Sequence, residues 1–477
     1  MTVFSQNFVG GRRVASLGTE TIEVHSPFDS SFVGSTPAAS KADVNLAVTT
    51  ARQAFDSGPW PGLTPAERHA ILTRFAELHA ARADEFARFI TSENGSPLWF
   101  TKAVQAGIAP QNAAYLKVAA EYPWELRRPA FPGGEIVWRR EPVGVAAIII
   151  PWNAPHQSAL VKLFPALLAG CTVVLKLAPE TALDGQFLGE LLTESGVPDG
   201  VISILAADRE VSEHLVTHPG VDKIAFTGST AAGRRIAALA GERLKRSSFE
   251  LGGKSAAIVL PNADIAKTVG ALHFLSFLNA GQSCVAQTRL LVARSAHDEF
   301  VEALVADVAT MNIGDPAHPE TFIGPLVAER QRRRVAGYID LGISEGATLA
   351  IGGTGLPNGI SGGAFVKPTV FANVDNGMRI AQEEIFGPVV CVIPYDDIDD
   401  AVRIANDTPY GLSGSVWTSN PEQGLAVARR IRTGTLAVNG AARDPLAPFG
   451  GFKQSGIGRE FGSEGLDHYI EHKAIAL

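Results

Sequence analysis

An α/β protein with a parallel sheet and a second α/β domain is what this chain predicts, and three observations carry that expectation. Four apolar runs between positions 143 and 227 lack the polar alternation of a half-exposed strand, and helical stretches separate them, as in a parallel sheet covered on both faces. A second series of strands and helices begins near Ser255. With 477 residues, 46% hydrophobic and 19% charged, the chain exceeds one ordinary core and calls for two or three domains.

Residues 1 to about 35 alternate apolar and polar with Gly and Pro punctuation, reading as short strands and turns. Thr64-Pro65-Ala66-Glu67 then offers an N-cap Thr, Pro at the first helical position and Glu at the third, with Ile71, Leu72, Phe75 and Leu78 on one face behind it. Helical pattern continues to about Glu121. The segment from Tyr122 to about Gly144 places Pro-Gly-Gly between two polar, Trp-containing strand candidates, a projecting hairpin whose free edge suits subunit contact. The four runs follow: Val145 to Ile150, Val173 to Leu177, Val201 to Leu205 and Lys223 to Thr227. Leu160, Leu163, Phe164, Leu167 and Leu168 form a helical stripe closed by Gly170. The second series contains Ala257 to Leu260, a helix to Asn279, Arg289 to Val292, two helices, Val389 to Ile393, Gly414 to Trp417 and a helix near Gln423 to Ile431. Ligands of such sheets bind beyond the carboxyl ends of the strands. That rule directs attention to Pro151-Trp152-Asn153, to Lys176 through Glu180, and to Gly228-Ser229-Thr230.

A formal net charge of −8 argues against a nucleic-acid surface, which needs concentrated Lys and Arg. The basic run Arg330, Arg332, Arg333, Arg334 reads as a solvated helix face. Three cysteines cannot all pair, which suits a reducing compartment. The N-terminus lacks a basic segment followed by an apolar core, and Val145 to Ile150, the longest purely apolar stretch, is far short of a membrane span. A soluble cytoplasmic protein without membrane contact or metal is the expectation.

Cys284 stands out from the other two cysteines. It lies in NAGQSCVAQTR, on a turn between the apolar helix pattern of Leu272, Phe274, Leu275, Phe277 and Leu278 and the run Leu290 to Val292, and turns present reactive groups. Cys171 and Cys391 sit in strand-like runs and read as inert core. A thiol near pKa ~8.5 becomes a useful nucleophile where its surroundings favour the thiolate, and Gly281, Gln282 and Ser283 leave room for polar groups to do so; the alternative is a structural cysteine. FTGSTAAG is neither a GxGxxG fingerprint nor a P-loop, yet a glycine turn at a helix N-terminus with Ser229 and Thr230 hydroxyls can hold a phosphate. Glu250, between Phe249 and Leu251 and followed by Gly252 and Gly253, can have a raised pKa suited to a general base, or be a salt-bridged Glu. Asn153 can donate its amide to a developing oxyanion, or be an ordinary turn residue beside Pro155.

Six motifs in order across nearly the whole chain, namely PWNAP, FTGST, ELGGKS, GQSC, EEIFGPV and PFGGFKQSGIGRE, resemble the aldehyde dehydrogenase superfamily, in its hydrolytic, NAD(P)-dependent form. The resemblance implies a Rossmann-like parallel-sheet cofactor domain (1–121 and 143–251), a second α/β catalytic domain (252–460) and a small β oligomerisation element (122–142 and 461–477), in a homodimer or homotetramer. It implies that Cys284 attacks the aldehyde carbonyl, that Asn153 and the Cys284 backbone N–H hold the oxyanion, and that Glu250 activates the water that hydrolyses the resulting thioester. Lys162 matches a lysine near the active site. Lys176 and Glu384 match ribose-holding residues, Pro151, Trp152, Gly228, Ser229 and Leu251 match the cofactor's surroundings, and Phe386 matches a residue against the nicotinamide ribose. Members that pass the acyl group to coenzyme A tend to lack the Glu250 equivalent, so a free carboxylate product is implied.

Two departures qualify the match. Many NAD-preferring members carry a ribose-binding Glu where this chain has Pro179, followed by Glu180. NAD is the expected cofactor, with NADP also possible. Positions that carry bulky side chains in some members are Ala154, Ser158 and Val161 here, and with Ser283, Val285 and Phe449 they imply a wide pocket for a medium-to-large hydrophobic or aromatic aldehyde. Arg443, beside Asp444, can instead recruit a semialdehyde carboxylate, or form a surface ion pair. A cofactor-independent thiol esterase and a catalytically silent relative are the alternatives from other classes.

Overall fold

Thr64 opens the helix Pro65–Ala81 as its sequence predicts: the hydroxyl accepts from the Glu67 amide at 3.3 Å and the Glu67 carboxylate accepts from the Thr64 amide at 2.7 Å. The computed structural model describes residues 1–477 and contains the expected parallel sheet and a second α/β domain with its own, mostly parallel sheet. In the first, Val145–Ile149 is central. The chain runs outward on one side through Thr172–Leu177 and Ile202–Ala206, then returns to the other side for Lys223–Thr227 and Arg246–Glu250, all five parallel. The antiparallel pair Asn7–Val9 and Arg12–Val14 extends one edge. This reversal is the switch point at which ligands of open sheets bind.

The missing alternation in these strands has a direct cause. Ala146 and Ile148 belong to one apolar core, while Val145, Ala147 and Ile149 belong to another on the opposite face, so every position is buried. The helix Pro155–Ala169 is likewise buried nearly all round and ends at Gly170, whose φ of 100° admits glycine readily. The second sheet runs Thr348–Ile351, Thr369–Ala372, Val389–Tyr395, Gln287–Ala293, Ser255–Val259, Gly414–Trp417, Ala437–Val438 and has its own core.

The hairpin forms from Glu125–Pro129 and Glu135–Pro142, and Ile470–Ala476 pairs along its other side. Glu125–Pro129 is exposed along its length and leaves one edge of this sheet free. The boundaries expected from sequence shift near the C-terminus. Gly456–Ile457 pairs with Arg246–Glu250, so the chain has rejoined the first sheet before position 460. Leu466 and Tyr469, in and just after the helix Gly462–Asp467, are buried in the first core, and only Ile470–Ala476 joins the hairpin. No helix is long and apolar enough to cross a membrane.

The two-faced burial predicts unequal costs for truncation. Leu175→Ala, at a fully buried position, should lower stability by about 2–5 kcal/mol, whereas Leu126→Ala on the exposed hairpin edge should stay within about 0.5 kcal/mol, both read from urea unfolding midpoints.

Candidate active site

The carboxyl ends of strands in the first sheet face the amino ends of strands in the second. Residues that follow strands of the first, Pro151 to Asn153 and Gly228 to Ser229, face residues that precede strands of the second, Leu251, Gly252, Cys284, Glu384 and Phe386. Between them lies a cleft of about 640 Å³, within the range of small-molecule and cofactor sites.

Cys284 is held by a loop with little freedom. After the helix Ile265–Phe277, Asn279 and Ala280 adopt left-handed backbone, with φ of 50° and 53°. A Cβ on Gly281 would lie 2.1 Å from the Gly387 carbonyl oxygen, so no other residue fits without displacing that strand entry. The Gln282 side chain accepts from the Val327 amide at 2.9 Å and donates to the Asn279 carbonyl at 3.2 Å. Asn153 Nδ2 donates to the Gln282 carbonyl at 3.0 Å, and Asn279 Nδ2 returns a bond to the Asn153 carbonyl at 3.3 Å. Arg289, at the end of the same motif, is buried and donates to the carbonyls of Lys254, Ile404 and Ala405 and to Asn376. The glycines after Glu250 allow close approach, as expected. A Cβ on Gly253 would meet the Cys284 carbonyl at 2.5 Å, and one on Gly252 would meet the Glu384 carboxylate at 2.4 Å.

The surroundings of Cys284 do not favour its thiolate. Burial, then the charges of Glu384 and Glu250, push the thiol up to about 12 against the pull of Arg443. The backbone room at Gly281 to Ser283 is taken up by loop-internal bonds instead. Cys171 and Cys391 are fully buried and their thiols face the Tyr469 and Ile380 carbonyls.

Glu250 is the last residue of its strand and 6% exposed. It forms no ion pair, and Oε2 has no hydrogen-bond partner. Burial and then the neighbouring Glu460 hold its carboxyl well above the usual carboxylate range. Oε1 points toward Gly450, where an added Cβ would come within 2.7 Å. Lys162, only 3% exposed, donates to the Thr227 hydroxyl and to the Glu460 carboxylate. Sequence reasoning assigned Glu460 no role, although it ends the motif PFGGFKQSGIGRE; its link to Lys162 depends on a contact across 298 residues.

Of the residues expected to bind a cofactor, Pro151, Trp152, Gly228, Ser229, Leu251, Glu384 and Phe386 line the cleft. Ser229 caps the helix Thr230–Gly241, and Glu384 accepts from the Gly253 amide at 3.0 Å. Lys176, Pro179 and Glu180 do not line this cavity, though they follow or end a strand on the same sheet edge. Burial lowers the Lys176 ammonium to about 8. The basic run is more than a solvated face. Arg330 and Arg334 line the cleft, Arg330 pairs with Glu180, and Arg334 donates to the Glu384 carbonyl at 2.6 Å.

On the other side of Asn153, a hollow of only about 10 Å³ is lined by Ile90, Phe100, Thr101, Val104, Gln105, Ala154 and Pro155. Ala154 borders this hollow, and the helix Leu98–Glu121 contributes Phe100 and Val104 to its wall. Ser158, Val161, Ser283, Val285, Arg443 and Phe449 line neither hollow. Val161 is buried and its carbonyl accepts from Tyr115. Arg443 stacks over Phe449 at 4.8 Å, and Asp444 accepts from the Leu446 amide, so the two do not form the anticipated ion pair.

Parallel sheets that meet across a cleft with room for a dinucleotide are the build of a two-domain α/β dehydrogenase. The chain belongs to the aldehyde dehydrogenase family, whose model matches residues 14–475. It is 42% identical, over the full length of both proteins, to a geranial dehydrogenase of Castellaniella defragrans. A Mycobacterium tuberculosis aldehyde dehydrogenase complexed with NAD+ superposes with a TM-score of 0.98 at 45% identity, covering 100% of this chain and 98% of that one. A mutant of aldehyde dehydrogenase C from Pseudomonas syringae, complexed with NAD+ and octanal, gives 0.95 at 40% identity, covering 99% and 96%.

The raised thiol makes a prediction for the cofactor-free protein. Alkylation of Cys284 by iodoacetamide should accelerate about tenfold per pH unit between roughly pH 7 and 9 without reaching a plateau, since the thiolate fraction climbs that steeply below the pKa. Mass spectrometry of the Cys284 peptide reads the rate.

Proposed function

We propose that this protein oxidises medium-to-large hydrophobic or aromatic aldehydes to carboxylic acids, through covalent attachment to Cys284. The observation that carries the reading is the bond from Asn153 Nδ2 to the Gln282 carbonyl, which holds a side-chain amide over the Cys284 loop. An amide nitrogen has two donors. One is used on Gln282, leaving the other for an oxygen at the carbon that the sulfur attacks, together with the Cys284 backbone N–H. Preorganised donors of this kind stabilise a developing oxyanion.

NAD fits the cleft: the capped N-terminus of the helix Thr230–Gly241 suits a phosphate, Gly228 and Ser229 border it, and Glu384 is fixed for a ribose by the Gly253 amide. NAD-bound relatives support the same assignment. When bound, NAD supplies the hydride acceptor for oxidation of the sulfur-linked carbon. What remains is a thioester on Cys284, and its hydrolysis needs a proton acceptor. Glu250 has the raised pKa for that task, with Lys162 and Glu460 behind it to adjust its charge. Water attacks the acyl carbon, Glu250 takes the proton, and the C–S bond breaks to release the acid and restore the thiol. Splitting the reaction at a covalent intermediate replaces one difficult step by two. The exposed edge of Glu125–Pro129 suits pairing between subunits in a homo-oligomer.

Initial-rate formation of NADH with octanal tests the reading, and Cys284→Ala should abolish it. Persistent turnover without nicotinamide would favour a thiol esterase instead. Glu250→Gln should cut kcat by about 10²–10⁴-fold. Because Glu250 is held above its ordinary range, it acts as a base only once deprotonated. The rising limb of kcat against pH should therefore lie above the usual carboxylate pKa of about 4.3.

The Glu180–Arg330 pair generates a prediction for cofactor choice. Glu180→Ala removes a carboxylate and frees a guanidinium, so NADP should gain over NAD by up to about fivefold in relative Kd, the scale of an exposed ion pair. Calorimetric titration of both cofactors measures the ratio.

A further inference from the structure

We propose that Asn94 is a positioning residue for the reaction: its amide fixes the main-chain turn that aims the Asn153 side chain at the Cys284 loop. This rests on the functional reading above and adds a support that touches neither substrate nor cofactor.

The turn depends on side chains from elsewhere. Trp152 and Asn153 lie between the strand Val145–Ile149 and the helix Pro155–Ala169, and their carbonyls accept no main-chain hydrogen bond. Two side-chain amides hold them instead. Asn94 Nδ2 donates to the Trp152 carbonyl at 3.0 Å, and Asn279 Nδ2 donates to the Asn153 carbonyl at 3.3 Å. Those carbonyls belong to the two peptide planes that flank the Asn153 Cα. Because each plane is rigid, fixing both sets φ and ψ of Asn153, and with them the direction in which its side chain leaves the main chain. The oxyanion donor is thus aimed by two asparagines, one at the end of the helix Ala83–Asn94 and one in the Cys284 loop.

Asn94 is itself held. It is buried, and its Oδ1 accepts from the Ser96 amide at 2.9 Å, so both ends of the side-chain amide are committed. Its neighbour Glu93, also buried, accepts from the Leu183 and Asp184 amides at 2.9 and 3.0 Å. The Asp184 carbonyl lies 3.1 Å from Nε2 of His156, in the first turn of the helix that follows Asn153. Gly95, with φ of 74°, then turns the chain where an added Cβ would meet Pro325 at 2.6 Å. Two residues beyond Pro325, the Val327 amide donates to Gln282 of the Cys284 loop at 2.9 Å. The corner Glu93–Gly95 therefore braces the Asn153 turn on one side and packs against the support of the Cys284 loop on the other. None of its three residues lines the cleft or the small hollow, so the corner acts through Asn153.

A double-mutant cycle with octanal and NAD provides the test. Asn94→Ala removes the donor. Asn94→Ser removes it too but keeps an oxygen for the Ser96 amide, so the test stays open if the alanine variant does not fold. In either variant kcat should fall about ten- to hundredfold, the scale of a catalytic group misplaced by up to an ångström, while Kd for NAD stays within about twofold. In an Asn153→Ala background the same substitutions should cost less than about twofold more, because the group they misplace is already gone. Equal losses in both backgrounds, an unchanged kcat, or a matching loss of NAD affinity would overturn the positioning role. If Asn153→Ala keeps the wild-type kcat, the functional reading fails. Amide hydrogen exchange of the peptide containing Trp152 to Ala154 then decides Asn94 separately: faster exchange in Asn94→Ser than in wild type supports its hold on the turn, and identical exchange refutes it.

Discussion

The bond from the Asn153 amide to the Gln282 carbonyl joins the end of a strand in one sheet to the loop that enters a strand in the other. With the returning bond from Asn279 to the Asn153 carbonyl, it locks a side-chain amide and a cysteine loop into one unit at the boundary between sheets. Everything else at the site depends on that boundary being narrow. Glycine at 252, 253 and 281 is required because the Glu384 carboxylate and the Cys284 and Gly387 carbonyls approach to 2.1–2.5 Å of where a Cβ would lie, well inside van der Waals contact. Left-handed backbone at Asn279 and Ala280, uncommon for residues other than glycine, persists because Gln282 is tied at both ends of its side chain.

The same closeness sets the protonation states. Burial of Glu250 and partial burial of Cys284 and Glu384 at the cleft place three acidic groups where their charged forms are disfavoured, and each is shifted upward with desolvation as the leading cause. The protein therefore rests with a protonated thiol beside a carboxyl that resists ionisation. Charge has to be created during the reaction, in the presence of donors already aimed, and this is where preorganised electrostatics contribute most.

Much of the frame was legible in the sequence because its signals are local. The capping box at Thr64, the Gly170 helix end, and the uninterrupted runs of the first sheet depend on neighbours a few residues away or on burial of every position. The motif glycines were legible too, since close approach is the common reason for Gly-Gly beside a carboxylate. What was not legible depends on distant partners. Arg330 looked solvated because its partner, Glu180, is 150 residues away, and Glu460 needed Lys162 across the fold. The neighbours of Ala154 were hidden in the same way: Phe100 and Val104, which wall the small hollow beside it, come from a helix some fifty residues earlier. The turn around Cys284 was legible in the sequence, but the state of its thiol depends on burial and on two carboxylates distant in sequence, Glu384 and Glu250.

The central claim is that Cys284 carries the acyl group and that Glu250 is needed to release it. Intact-mass and peptide mass spectrometry of Glu250→Gln, mixed with octanal and NAD and quenched in acid, tests it most directly. The account predicts that an octanoyl group accumulates on the Cys284 peptide in near-stoichiometric amount and is absent from wild type at steady state. An unmodified Cys284 in a variant that still consumes octanal, or an acyl group on a different residue, would contradict it.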